Sequence, residues 1–100
     1  QCTMDFTEDL LELGPIEDKW KSFGWEVKRI DGHDIEQIAD SLKYVRSRRT
    51  RKPLVIIADT VKGQGIDYLS CKPIWHGGTP IKDEDVEASR KDLQRSLKNG

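Results

Sequence analysis

The run Leu54-Val55-Ile56-Ile57-Ala58 constrains this chain more than any other stretch. Five consecutive apolar residues, three of them branched at Cβ, suit a strand covered on both faces. Helices packed on each side of a parallel sheet supply such cover, so an α/β fold is expected. The residues after the run narrow the reading. Residues 60–66 read T-V-K-G-Q-G-I, and 75–77 read W-H-G. A buried strand that ends in a glycine-punctuated loop places Lys62 and His76 at the edge of a sheet, where open α/β folds bind phosphorylated ligands. No acidic residue stands beside that loop as an evident metal ligand. The loop therefore reads as half of a site.

The rest of the chain supplies partners for that strand. Gly14-Pro15 precedes Ile16, Lys19, Trp20 and Phe23 at helical spacing, with Gly24 as a natural stop, which predicts a helix over about 16–23. Trp25 to Ile30 alternates and is rich in aromatic and β-branched residues, as a strand is. Asp31-Gly32-His33-Asp34 reads as a turn, and Asp34 is placed to accept the free N–H groups of a following helix. Ile35, Ile38, Ala39, Leu42 and Val45 keep 3.6-residue spacing, giving a helix to about Arg46. Strand, helix, strand at this spacing is a right-handed βαβ unit. Residues 60–81 are expected to be loop. Asp83-Glu84-Asp85 suits the first turn of a last helix, where negative charge opposes the helix dipole, and Val86, Leu93 and Leu97 give that helix a thin apolar stripe. Trp20, Phe23 and Trp25 are expected in the core, and the basic stretch Arg46 to Lys52 at a solvated helix end. Two strands are too few to close a sheet. The expected fold is thus a βαβ-containing segment of a doubly wound parallel sheet, incomplete on its own and leaning on other polypeptide for burial.

Charge and length exclude several roles. Lys and Arg number 17 against 18 Asp and Glu, which gives no support for nucleic-acid or bilayer binding as the main role. No apolar run approaches the roughly 20 residues of a membrane span, and the start carries no signal-peptide pattern. The two cysteines, Cys2 and Cys71, are too few for a disulfide scaffold, so a reducing, cytoplasmic compartment is expected. A length of 100 residues allows one domain at most. The first residue is Gln1, so either processing or a longer parent protein is expected.

Four stretches, in this order and spacing, resemble transketolases: D-K-W-K-S-F-G-W-E-V at residues 18–27, D-G-H-D at 31–34, I-I-A-D-T-V-K-G-Q-G-I at 56–66 and W-H-G at 75–77. The resemblance covers nearly the whole chain but only part of the family's protein, the end of its N-terminal, pyrophosphate-binding domain. It implies a transferase of the pentose phosphate type. Such an enzyme moves a two-carbon ketol unit from a ketose phosphate to an aldose phosphate with thiamine diphosphate and Mg or Ca. In the family, a G-D-G motif and a following Asn hold the metal. They fall upstream of Gln1, so no metal ligand is expected among residues 1–100. The pyrimidine-binding domain, with the Glu that activates thiamine, is not matched either. Residues 1–100 are therefore expected to be a partial thiamine diphosphate-binding domain, a segment or subunit of a split enzyme. Its expected partners are the G-D-G part, the pyrimidine domain and sugar phosphates, and neither nucleic acid nor membrane.

The resemblance assigns roles residue by residue. Lys62, a compact point charge, lies at the cofactor, and Gly63 lets the backbone approach it closely. Without the resemblance, K-G-x-G also fits an ordinary surface turn. His76 lies between cofactor and sugar phosphate, binding both, donating to their oxygens and shuttling protons. A lone His beside Trp75 is otherwise most simply a packed residue. Gln1 and Cys2 fall just after the metal-ligand segment, with Cys2 as a wall residue at the cofactor. His33 is read as part of a turn and cap and not as catalytic. Two other readings stand beside this one. A deoxyxylulose phosphate synthase-like enzyme also carries a D-G-H turn and a K-G-x-G loop, and a non-catalytic assembly module would keep the fold only to bind partner chains.

Overall fold

The computed structural model describes Asp5, Phe6, Asp9 and residues 11–99. Its elements are α1 (Ile16–Ser22), β1 (Glu26–Asp31), α2 (Ile35–Ser47), β2 (Leu54–Asp59), a 3-10 turn (Pro73–His76) and α3 (Asp83–Asn99). The strands pair in parallel, with Glu26 opposite Leu54 and Asp31 opposite Asp59. The α/β class and the βαβ unit are thus as expected. The chain divides into two compact units. One is Leu13–Thr60, and the other joins Val61–Gly100 with the described residues of Gln1–Glu12.

In the first unit, the turn out of α1 is a Schellman motif. Gly24 N–H donates to the Lys21 carbonyl (2.9 Å) and Trp25 N–H to the Trp20 carbonyl (3.2 Å). Gly24 has φ of 82°, a conformation only glycine takes at little cost. The motif brings its two flanking side chains together, and Trp20 meets Trp25 with ring centroids 4.9 Å apart. Phe23 sits at the cap between them and is 76% exposed, so it is not the core residue the spacing suggested.

Helix α2 starts where expected. Asp34 Oδ1 accepts from Glu36 N–H (2.9 Å) and Gln37 N–H (3.1 Å). These donors hold its carboxyl below the usual carboxylate range, the Gln37 backbone N–H first among them and burial opposing. The inner face of the helix is mixed, however, with the half-buried Ile38 and Ala39 beside the buried Ser41. Gln37, Ser41, Tyr44 and Arg48 recur at helical spacing, and Gln37, Tyr44 and Arg48 bond to groups on and beside β1. Gln37 Oε1 accepts from Asp31 N–H (3.0 Å), the Tyr44 hydroxyl donates to Glu26, and Arg48 Nη2 reaches Glu26 (2.9 Å) and the Lys52 carbonyl (2.6 Å). Ser41 is fully buried, while Ile35 and Leu42 are 75% and 56% exposed.

Among the described hydrophobic residues Ile30, on β1, is buried. The β2 run Leu54–Ile57 is half-buried and Ala58 is exposed. The cover on both faces that the apolar run called for is therefore partial within this chain.

Candidate functional site

The loop after β2 is not irregular. Ile66 N–H donates to the Gly63 carbonyl (3.1 Å), Leu69 and Ser70 N–H both donate to the Ile66 carbonyl (2.9 Å each), and Cys71 N–H closes the loop onto the Lys62 carbonyl (2.9 Å). Gly63 has φ of 77°, and a Cβ there would lie 2.9 Å from the Leu69 carbonyl oxygen. No other residue fits that position without moving backbone. The closure fixes the main chain of Lys62, whose side chain is half-buried. Cys71 is a free, exposed cysteine with φ of 54°.

His76 ends the 3-10 turn and is exposed, whereas its neighbour Trp75 is half-buried. Trp75 N–H donates to the Lys72 carbonyl (3.2 Å), and the Thr79 hydroxyl donates to the Ile74 carbonyl (2.8 Å). Lys62, Gly63 and His76 thus belong to one compact unit. A residue that the motifs did not single out connects their segments. Tyr68 lies within the closed loop, and its ring meets Trp75 with centroids 5.8 Å apart. Tyr68 also reaches α3: its N–H donates to Asp92 Oδ2 (2.7 Å) and its hydroxyl to Asp85 Oδ1 (2.5 Å).

Asp85 is the buried acid of this unit, 7% exposed. Besides the phenol it accepts Lys82 N–H (2.8 Å), returning a bond to the residue just ahead of the helix, as the third residue of a capping box does. The Tyr68 hydrogen bond, then the Lys82 N–H, hold its carboxyl below the usual range against the opposing cost of burial. The same bond pushes the Tyr68 phenol up. Asp85 therefore caps the helix, as its position suggested, and also grips Tyr68, which no sequence pattern signalled.

Gln1 and Cys2 are outside the described residues. His33 belongs to the Leu13–Thr60 unit, where its N–H donates to Asp31 Oδ1 (2.8 Å) in an Asx turn, in keeping with the turn-and-cap reading. Gly32 packs tightly there: its N–H donates to the Asp59 carbonyl (2.7 Å), and a Cβ would lie 2.8 Å from that oxygen and 2.5 Å from Thr60 Cγ2. Among the described residues no three of His, Cys, Asp or Glu group to hold a metal, and no helix is long and apolar enough to cross a membrane.

Residues 2–97 match the protein family described as transketolase, thiamine diphosphate binding domain. The chain is 38% identical over 89 residues to an apulose-4-phosphate transketolase subunit of Actinobacillus succinogenes, covering 89% of this chain and 31% of that protein. It is 37% identical over 90 residues to a 6-deoxy-6-sulfo-D-fructose transketolase subunit of a Clostridium strain, covering 90% and 32%. Against transketolase of Sinorhizobium medicae it is 33% identical over 75 residues, covering 75% of this chain and 10% of that protein. The chain spans about a third of the length of the two subunits it resembles. With the family match extending over residues 2–97, the chain belongs to the thiamine diphosphate binding domain family of transketolases.

Proposed function

We propose that residues 1–100 supply one wall of a transketolase-type site and that other segments or subunits complete it. The assembled protein transfers a two-carbon ketol unit from an anionic ketose to an aldose phosphate. The observation that carries this reading is the link between the two motifs: the Lys62 loop, closed by Cys71, reaches the W-H-G turn through the Tyr68–Trp75 contact.

The donor set suits an anionic coenzyme. An ammonium, an imidazole and the N–H groups of a glycine turn are groups that bind diphosphate oxygens. Thiamine diphosphate, when bound, supplies the carbanion chemistry, and the protein supplies position and polarity. In this reading the Lys62 ammonium binds phosphate charge, and Gly63 lets the main chain come close. The exposed His76 imidazole donates to a diphosphate oxygen or a sugar hydroxyl and carries a proton between them. Gln1 and Cys2 are assigned to the wall at the cofactor. The ligands of a divalent cation, and the group that activates thiamine, are assigned to segments or subunits other than residues 1–100. Relatives named for apulose 4-phosphate and 6-deoxy-6-sulfofructose support a ketose with a charged tail as donor here.

The test assembles residues 1–100 with the segments bearing G-D-G, the following Asn and the pyrimidine domain, on one polypeptide or several. Ketol transfer to ribose phosphate is expected, and His76→Ala should lower turnover roughly a hundred- to a thousandfold without altering the fold. Product from pyruvate in place of the ketose would indicate a deoxyxylulose phosphate synthase-like enzyme. Assembly with no cofactor bound would leave a non-catalytic module.

A further inference from the structure

The turn that carries His76 is four residues long, Pro73–His76. A 3-10 turn of that length has little stability of its own, so tertiary contact must set its orientation. Its hydrogen bonds are local in sequence, from Trp75 N–H to Lys72 and from Thr79 to Ile74. The Tyr68 ring on Trp75 joins it to the closed loop, which in turn is bonded to α3.

Tyr68 is held from both ends by α3. Asp92 Oδ2 accepts its N–H at 2.7 Å, and Asp85 Oδ1 accepts its hydroxyl at 2.5 Å. Both acceptors are carboxylates in poorly solvated positions, Asp85 7% exposed and the Asp92 side chain 12%. Hydrogen bonds to ionised groups are about twice as strong as neutral ones. The Lys72 ammonium lies 4.7 Å from the centre of the Tyr68 ring and adds a cation–π contact beside the turn.

We propose that Tyr68 is a positioning residue for His76. Helix α3 holds Tyr68, Tyr68 holds Trp75, and Trp75 sets where the adjacent imidazole is presented. The functional meaning of this rests on the reading of His76 given above, but the positioning itself does not require any cofactor to be present.

The test is NMR on residues 1–100 assembled with the segments or subunits that complete the domain, in wild-type form and as Tyr68→Phe and Tyr68→Leu. The phenylalanine keeps the ring on Trp75 and loses the bond to Asp85. The leucine loses both. In wild type, the His76 backbone should have an order parameter near 0.85, falling below about 0.6 in Tyr68→Leu. Ring-current shifts of Trp75 should be lost with it, while amide shifts of 13–60 stay put. Tyr68→Phe should restore the Trp75 shifts and only part of the His76 order. Unchanged His76 order in both variants would overturn the proposal. So would a Tyr68→Leu chain that loses the whole of 61–99 while Tyr68→Phe matches wild type, because Tyr68 would then be packing alone. Failure of the functional reading is seen elsewhere, in a His76→Ala enzyme that turns over normally, and leaves these spectra untouched.

Discussion

Arg29 holds Asp59 in a forked ion pair, Nε to Oδ2 at 2.6 Å and Nη2 to Oδ1 at 2.9 Å. In the parallel register Arg29 lies opposite Ile57, so the pair is diagonal, reaching to the last residue of β2. It ties the two strands together at the end where D-G-H-D and T-V-K-G leave the sheet. Planar guanidinium and carboxylate match in this geometry, and Lys would not reproduce it.

The pair gives a pH signature. The Arg29 hydrogen bond is the main cause holding the Asp59 carboxyl below its ordinary range, with burial opposing. A group depressed in the folded state stabilises above its unfolded value, near 4, and that contribution is lost as pH falls through the folded value. Arg29 itself is held above its already high value and stays charged throughout. Arg29→Met should therefore melt a few degrees below wild type at pH 7, with the gap closing below about pH 4. Both side chains are about half exposed, 53% and 40%, so 1 M salt should also narrow the gap. Thermal melts across pH and salt decide it, and a gap unchanged at pH 2 would refute the assignment.

Gly32 and Gly77 should answer differently to the same change. A Cβ on Gly32 meets the Asp59 carbonyl at 2.8 Å and Thr60 Cγ2 at 2.5 Å, whereas one on Gly77 meets nothing within 4 Å. The backbone at Gly77 is extended, φ 174°, and accepts any residue. Gly32→Ala should cost about 1–3 kcal/mol by overpacking. Gly77→Ala should fall within about 0.5 kcal/mol of wild type. Urea titrations of the two variants make the comparison.

The closed loop around Lys62 depends on Gly63. Its φ of 77° and the 2.9 Å approach of the Leu69 carbonyl both exclude a side chain. Gly63→Ala should cost about 1–3 kcal/mol of local strain. The bond from Cys71 N–H to the Lys62 carbonyl should open first. Amide exchange at Cys71 should accelerate roughly tenfold or more, while amides of β1 and β2 keep their protection. Equal Cys71 exchange in variant and wild type would show that the loop does not need its glycine.

Local chemistry was legible in the sequence and longer-range choice was not. The apolar run pointed to β2, Asp34 to the start of α2 and Gly24 to the stop of α1, because each depends on a few neighbouring residues. Strand β1 runs from Glu26 to Asp31, one residue later than the alternation suggested. The inner face of α2 was legible only in part, through the half-buried Ile38 and Ala39 of its apolar stripe. Periodicity finds an apolar stripe but not the polar groups of β1 that Gln37, Tyr44 and Arg48 bond to. Lys62 and His76 stood out through motifs, since a lysine in a turn and a lone histidine carry little pattern of their own. Tyr68 carried none, because its importance comes from Asp85 and Asp92, 17 and 24 residues away.

The mixed face of α2 makes a last prediction. Ser41 is 1% exposed, and among the described residues its hydroxyl has no hydrogen-bond partner. Ser41→Ala removes a buried polar atom and installs a better helix former, so it should stabilise by up to about 1 kcal/mol. Leu42, next along the helix and 56% exposed, should tolerate Gln within about 0.5 kcal/mol. Ile30→Ala, by contrast, empties the buried position on β1 and should cost about 2–5 kcal/mol. Chemical denaturation of the three variants gives the ranking. If Leu42→Gln proved as costly as Ile30→Ala, the packed part of the α2 stripe would extend beyond Ile38 and Ala39 to Leu42, against its exposure of 56%.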